Sequence, residues 1–231
     1  MRLDKFLSQN SDSSRSLIQQ AIKAGRVSVN DVVAKKGDQK LVGDEIVTLD
    51  GNIVEPFKTR YLMLHKPLGY VCANSDSDYP TVVDLIRMPR WQELQIVGRL
   101  DIDTTGLVLL TDDGQWNHRI TSPRHECDKI YRVTTANPIS DETTALFAAG
   151  VQLHGEKAPT RPAQLEFLSS HEARLKIHEG KYHQIKRMFA AAGNLVVALH
   201  RESIGSIRLD PALAPGEYRA LTDDEIKSVA P

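Results

Sequence analysis

A short polar segment between two apolar runs carries the side chains of this sequence that are best suited to chemistry. Residues 94–97 and 107–110 are apolar and have glycine nearby, a pattern typical of buried strands. The segment between them contains an arginine, two carboxylates and two hydroxyls: Arg99, Asp101, Asp103, Thr104 and Thr105. The pattern predicts a turn that presents these functional groups at the end of a buried strand.

The residue types alone leave more than one use for this turn open. A carboxylate can add to carbon as a nucleophile and later leave. Asp101 and Asp103, spaced as D-x-D, could instead hold a metal ion for phosphoryl transfer. A capped turn with solvated carboxylates is the third interpretation.

Composition narrows the class of protein. The chain has 231 residues, 41% of them hydrophobic and 26% charged, as in globular proteins that bury a good core. Cys72 and Cys127 form no C-x-x-C pair, so the sequence contains no zinc or redox motif. No apolar run could cross a bilayer, and residues 1–5 lack a signal-peptide core. We expect a cytoplasmic protein with no membrane partner and no bound metal.

The formal net charge of −1 hides an uneven distribution of charge. Residues 1–40 carry eight Lys and Arg against four Asp, and residues 176–208 carry six against two Glu. Residues 209–231 carry five acidic residues against two basic ones. Because a basic region can bind phosphates locally in a neutral protein, the composition is compatible with a nucleic-acid partner.

Periodicity predicts a small N-terminal domain over residues 1–50, made of helices followed by short strands. Ser13 or Ser14 can cap a helix that runs to Ala24, with an apolar stripe on one face and Gly25 at its end. Residues 26–30, 32–33 and the end of 41–49 have strand character. Residues 51–60 contain Gly, Asn and Pro without periodicity, and we expect a linker there.

Residues 61–231 predict a second, larger domain of the α+β class with a mixed, largely antiparallel sheet. The predicted strands are residues 61–65, 70–73, 94–97, 107–111, 130–135, 163–168, 173–177, 196–200 and 204–209. The predicted helices are residues 81–86, 115–121, 141–149, 182–192 and 223–229, the last with a capping box formed by Thr222 and Glu225.

Four segments of the N-terminal domain resemble the αL RNA-binding domain, which was first seen in a small-subunit ribosomal protein. They are residues 1–7, 14–15, 24–30 and 42–44. The resemblance implies that basic side chains of the first two helices face RNA phosphates. The residues carried over in this way are Arg2, Lys5, Arg15, Lys23 and Arg26.

The string G-R-L-D-x-x-T-T-G-L at residues 98–107 resembles the active-site motif of RNA pseudouridine synthases of the RsuA/RluA superfamily. In that family the aspartate is the nucleophile, which implies this role for Asp101. Residues 64–71 resemble the family's N-K-P-x-G string, with His65 where the family often has Asn. Residues 129–133 resemble its K-x-Y strand, which implies that Tyr131 lies against the target base and is a candidate for proton transfer.

Residues 179–188 resemble E-G-[RK]-x-x-Q-[IV]-[RK]-R-M, which marks the RsuA branch of the family. The resemblance implies an ion pair between the catalytic aspartate and Lys186, where many relatives have Arg; Arg187 is the second choice. On a helix that begins near Tyr182, positions 182, 186 and 189 share a face, and Arg187 is rotated by about 100° from Lys186. If His183 and Arg187 line the RNA side, Lys186 must point into the cleft beside residues 98–101.

The resemblance implies an isomerase that converts one uridine of 16S ribosomal RNA to pseudouridine without a cofactor. The target base must be flipped out, and Arg99 could contact phosphate or fill the vacated space. Asp101 could attack C1′, assist loss of the C2′ proton, or add to C6 of the ring. We expect a monomer whose partner is small-subunit rRNA or an assembly intermediate. The alternatives are a sister enzyme that acts on 23S rRNA and a non-catalytic rRNA-binding or ribosome-assembly protein.

Overall fold

The computed structural model describes residues 1–11, 13–88, 90–122 and 127–229. The chain divides into two compact units, Met1–Lys58 and Thr59–Pro231. Among the described residues, no helix has the length and apolar character needed to cross a bilayer.

The first unit packs two helices against a small antiparallel sheet. Its elements are α1 (Leu3–Asn10), α2 (Arg15–Lys23), β1 (Val27–Val29), β2 (Val32–Val33), β3 (Val47–Leu49) and β4 (Asn52–Ile53), with the strand order β2-β1-β3-β4. Ser14 caps α2, as expected, by accepting a hydrogen bond from the Leu17 amide. Strand β4 lies where the sequence predicted a linker, because the left-handed residues Asp50 and Gly51 turn the chain back onto β3.

A buried carboxylate ties the two helices of this unit together. The Asp4 side chain is 1% exposed and accepts hydrogen bonds from Arg2 (2.9 Å), Arg15 (3.0 Å) and Gln19 (2.9 Å). The hydrogen bond from Arg2, helped by Arg15, lowers the pKa of Asp4 to about 2 despite its burial. The carboxylate therefore stays ionised and holds both guanidiniums at the surface of the helix pair.

The second unit is built on a mixed sheet that contains nine strands in the described part of the chain. These are β5 (Tyr61–Lys66), β6 (Gln95–Val97), β7 (Thr104–Thr111), β8 (Lys129–Thr135), β9 (Gln164–Phe167), β10 (Glu172–Ile177), β11 (Val196–Ile204), β12 (Ile207–Arg208) and β13 (Tyr218–Ala220). The main path runs β13-β5-β7-β11-β8-β10-β9, while β6 pairs with β7 and β12 with β11. Strands β7 and β11 are parallel and every other pair is antiparallel, as expected for this fold class.

In the described part of the second unit, four helices and two 3₁₀ turns surround this sheet. The helices are α3 (Gly114–Thr121), α4 (Glu142–Ala149), α5 (Gln184–Ala191) and α6 (Asp223–Ser228), and the 3₁₀ turns are Val82–Leu85 and Trp91–Glu93. Helix α5 buries Ile185, Met188 and Phe189 in the core on one face of the sheet. On the other face, Trp116 of α3 packs in a second cluster with residues of β5 and β7.

Several of the predicted strands differ from the structure. Residues 70–73 are not a strand, since they make one isolated bridge, Val71 to Thr81. Strand β7 begins at Thr104, so the two threonines of the polar segment belong to the strand and not to the turn. Of the predicted strand 204–209, Ile207–Arg208 form the separate strand β12, whereas the predicted strand 196–200 continues to Ile204 as β11, whose pairing with β8 shifts between Arg201 and Ser203. The break predicted there is wrong because a buried arginine continues the strand.

Close contact between β7 and β11 requires a glycine at position 106. Gly106 has φ +106°, and a Cβ atom there would lie 2.4 Å from the Arg201 carbonyl oxygen. A side chain would therefore force the two central strands apart at the point where the polar segment enters the sheet.

We expect Gly106→Ala to lower the free energy of unfolding by about 2–6 kcal/mol, the sum of roughly 1–3 for backbone strain and roughly 1–3 for steric displacement. Urea unfolding measures this loss. Gly180→Ala is the matched control, because a Cβ at Gly180 meets nothing within 4 Å. Equal stability of the two variants would contradict the packing described here.

Candidate functional site

Asp101 lies in the loop that joins β6 to β7, at the end of the sheet where β5 also ends. The loop spans residues 98–103 and is closed by a hydrogen bond from the Thr104 amide to the Asp101 carbonyl (3.1 Å). The Asp101 side chain is 30% exposed, which leaves its carboxylate accessible from the cleft.

A buried lysine holds this loop from below. Lys66, the last residue of β5, is fully buried and donates from Nζ to the carbonyls of Pro67 (3.1 Å), Ile102 (3.3 Å) and Thr104 (2.7 Å). Its burial lowers its pKa below the ordinary value for lysine. The Gly69 amide also donates to the Ile102 carbonyl (3.0 Å), so the turn of the K-P-x-G string supports the Asp101 loop.

Helix α5 brings the expected cation to the loop. Lys186 Nζ lies 3.3 Å from Asp101 Oδ2 and 2.5 Å from Asp103 Oδ1. Partial burial alone would lower the pKa of Lys186, but the two carboxylates outweigh it and raise that pKa. Partial burial alone would raise the pKa of Asp103, but the contact with Lys186 outweighs this effect, so the pKa of Asp103 is lowered. The ammonium therefore bridges both carboxylates of the D-x-D pattern.

His183 also reaches the Asp101 loop. Its Nε2 atom lies 3.5 Å from Asp101 Oδ1. Helix α5 begins at Gln184 and not near Tyr182, because His183 adopts a left-handed conformation with φ +46°. This conformation moves the imidazole off the helical path and towards the carboxylate.

The second candidate cation, Arg187, is engaged elsewhere. Its guanidinium contacts Glu156 Oε1 (3.0 Å) and donates to the carbonyls of Tyr182 (3.0 Å) and His154 (2.5 Å). Glu156 also pairs with Lys181 (3.0 Å). The network fixes the turn before α5, so Arg187 supports the residues beside Asp101.

Tyr131 lies on β8 beneath the loop and is 7% exposed. Directly opposite it on β11 is Arg201, which is 1% exposed and donates from Nη1 to Tyr131 Oη (3.4 Å). The same guanidinium donates to the carbonyls of Leu107 (2.8 Å) and Gly98 (2.7 Å). Arg201 thus joins the tyrosine to both ends of the segment that carries Asp101.

A small cavity and a wider cleft meet at Asp101. The inner cavity, of about 100 Å³, is lined by Asp101, Thr104, Tyr131, His183 and Lys186 among others. The cleft, of about 1010 Å³, shares Asp101 and His183 and adds the cationic residues Lys129 and Arg201. Within the described part of the chain, the buried Thr104 Oγ1 has no hydrogen-bond partner, so a polar group that enters the cavity could satisfy it.

The residues predicted to bind RNA are distributed over both units. Arg2 and Arg15 share Asp4, and Arg26 pairs with Asp50 (2.6 Å). Lys5 and Lys23 are exposed on α1 and α2, and in the second unit Arg99 is exposed and lines both the cavity and the cleft.

Sequence reasoning missed Lys66 and Arg201 as supports of the site. Lys66 stands in the string that resembles N-K-P-x-G, where the sequence assigned no role to the lysine. Arg201 lies between His200 and Glu202, so its neighbours give no apolar alternation that would indicate which side chain is buried.

Comparison with known proteins gives matches along nearly the whole chain. Residues 60–191 match the RNA pseudouridylate synthase family, and residues 1–47 match the S4 domain. A Yersinia pestis protein named ribosomal small subunit pseudouridine synthase A is 55% identical over 99% of this chain and 98% of its own length. Its namesake from Escherichia coli K12 is 54% identical over 99% and 100%. A solved structure described as a pseudouridylate synthase aligns with TM-score 0.73 and 47% identity, covering 100% of both chains.

We expect Lys186→Met to raise the pKa of the Asp103 carboxyl, because the substitution removes the cation that holds this pKa low. Side-chain carboxyl NMR titration measures the shift. Lys181→Met is the matched control, since Lys181 pairs with Glu156 instead. An unchanged Asp103 pKa in the Lys186 variant would contradict the bridge.

Proposed function

The chain belongs to the RNA pseudouridylate synthase family, and we propose that it isomerises one uridine of 16S ribosomal RNA with Asp101 as the nucleophile. The observation that carries the proposal is that Asp101, Tyr131 and Lys186 line the same small cavity and the cleft beside it. Relatives that are 51–55% identical over almost their full length are named small-subunit enzymes, which supports a 16S target over a 23S one.

The reaction breaks the N1–C1′ bond of uridine, turns the base and joins C5 to C1′. A carboxylate suits this chemistry because it can add to carbon and later leave. Lys186 and His183 lie 3.3 and 3.5 Å from the two oxygens of Asp101. The ammonium of Lys186 holds the Asp101 carboxylate in place at the cavity through their contact.

The target base must leave the RNA stack to reach this cavity, which costs on the order of a few kcal/mol. Tyr131 offers an aromatic surface next to Asp101, and a base that packs on it regains part of this cost. Arg201 donates to the phenol oxygen, which leaves the Tyr131 hydroxyl proton free to be directed towards the base. Thr104 Oγ1 can bond to a polar edge of the same base.

The position of Lys186 disfavours metal-assisted chemistry at Asp101 and Asp103. A metal held by both carboxylates would have to occupy the place of the ammonium that contacts them at 3.3 and 2.5 Å. Two positive charges cannot share that place without strong repulsion. The proposed reaction therefore proceeds without a metal.

We expect Asp101→Asn to abolish isomerisation while the protein still folds and binds RNA, because an amide is a much poorer nucleophile of nearly the same shape. The assay incubates the protein with 16S transcripts, free and bound to small-subunit proteins, and maps pseudouridine by carbodiimide modification. Asp103→Asn is the matched control and should retain most of the activity, since Asp103 lines the cleft and not the inner cavity among the described residues.

Substantial turnover by Asp101→Asn would refute the nucleophile. Loss of activity in both variants, together with inhibition of the unchanged protein by EDTA, would instead favour the metal-binding alternative. Binding of 16S RNA without isomerisation by the unchanged protein would favour a ribosome-assembly role.

We propose that the N-terminal unit adds affinity for RNA through its exposed lysines. Each phosphate contact contributes about 0.7–0.9 to the slope of log affinity against log salt. We expect Lys5→Gln combined with Lys23→Gln to flatten this slope by about 1.4–1.8 in titrations of 16S fragments. Lys227→Gln, at an exposed lysine of α6, is the control. An unchanged slope in the double variant would show that these lysines do not contact phosphate.

A further inference from the structure

Two stacked aromatic rings lie beside Asp101 and have no assigned role. The rings of Tyr182 and His183 are parallel within 21°, with centroids 3.8 Å apart. Tyr182 is 76% exposed, so it contributes little buried area to the core. Its ring is nevertheless held against a neighbour and not left to rotate freely.

The backbone beneath these rings is fixed by several contacts. His183 has φ +46°, and a non-glycine residue held in this region costs roughly 1–3 kcal/mol. Arg187 compensates by donating to the Tyr182 carbonyl from its side chain and to the His183 carbonyl from its amide, both at 3.0 Å. The salt bridges of Glu156 with Lys181 and Arg187 hold the same turn. The backbone that carries the two rings is therefore held in place before any ligand binds.

The stack leads from solvent to the candidate nucleophile. Among the described residues, His183 lines both the inner cavity and the cleft. Tyr182 lines the cleft but not the inner cavity. Arg99 and Lys181 line the same cleft and could attract phosphates. The cleft and the inner cavity share Asp101 and His183, so an RNA strand that delivers a base to Asp101 along the cleft brings its next base close to Tyr182.

We propose that Tyr182 stacks on the nucleobase next to the target uridine and so selects RNA in which that neighbour is unpaired; the inference rests on the proposed function. When the uridine leaves the stack, its neighbour loses one stacked face. An aromatic ring that replaces this face gains about 1–3 kcal/mol per base and tolerates any base. Tyr182 then acts as a specificity residue that reads an unpaired base without reading its sequence.

The test compares Tyr182→Ala with Tyr182→Phe, which keeps the ring, and with Tyr79→Ala. Tyr79 is also exposed (52%), but it is not among the described residues that line the cleft. His183 is left intact because it contacts Asp101. A 16S fragment that spans the modified uridine is prepared intact and with an abasic nucleotide on its 5′ or 3′ side. KM and kcat are measured for each pair of protein and RNA.

We expect Tyr182→Ala to raise KM for the intact fragment by about 5-fold to 150-fold, the equivalent of one lost stacking contact, and to change kcat less. This penalty should vanish for the fragment that is abasic on one of the two sides. Tyr182→Phe should behave like the unchanged protein, as should Tyr79→Ala. An equal penalty on intact and abasic fragments, or none on the intact one, would overturn the proposal.

A binding measurement separates this inference from the proposed function. The probe is a short fluorescent single-stranded RNA of mixed sequence, compared with an abasic backbone of the same length. Tyr182→Ala should weaken binding of the RNA and leave binding of the abasic strand unchanged. If the unchanged protein isomerises no 16S uridine, the proposed function fails, yet this comparison still decides whether Tyr182 stacks on bases. Equal binding of the RNA by both proteins would refute the stack.

Discussion

The buried ammonium of Lys66 is the interaction on which the geometry of the site depends. Removing this ammonium from water costs free energy, and its hydrogen bonds to the carbonyls of Pro67, Ile102 and Thr104 offset that cost. Two of these carbonyls belong to the segment that begins at Asp101, so the strand β5 determines where the carboxylate lies. Loss of this ammonium would remove a donor from each of the three carbonyls beneath the loop, and Ile102 would keep the Gly69 amide.

A second buried cation connects the loop to the opposite side of the cleft. Arg201 donates to Gly98, Leu107 and Tyr131, and it can do so because Gly106 lets β11 approach β7 closely. The carboxylate and the tyrosine are thus held by one rigid set of backbone and side-chain contacts. Such support matters because a misplaced catalytic group loses rate steeply with small displacements.

The sequence was sufficient to predict the family, the fold class and the proximity of the three candidate catalytic residues. Asp101 could be singled out because a polar string interrupts two buried strands, and Lys186 because helical register separates it from Arg187. The structure places these residues together, while their roles in catalysis stay predictions. The left-handed conformation of His183 was not predictable, since it depends on contacts from Arg187 and not on the residue type.

Local sequence patterns could not reveal which residues support the site from beneath. Lys66 and Arg201 look like ordinary strand polar residues until the strands that cover them are paired. The continuity of β11 through Arg201 was missed for the same reason, because only tertiary partners make a buried arginine tolerable there. In the first unit, Asp4 gave no signal that it binds Arg2 and Arg15, since those contacts depend on how α1 packs against α2.

The most direct test of the account is a crystal structure of the Asp101→Asn variant bound to the 16S fragment that contains the target uridine. We expect the uracil ring to lie out of the RNA stack and in the inner cavity, between position 101 and Tyr131, with Lys186 beside it. A target uridine that remains stacked in the RNA would contradict the account. So would a uridine bound in the groove lined by His65 and His200, since His200 points to the opposite face of the sheet from Arg201.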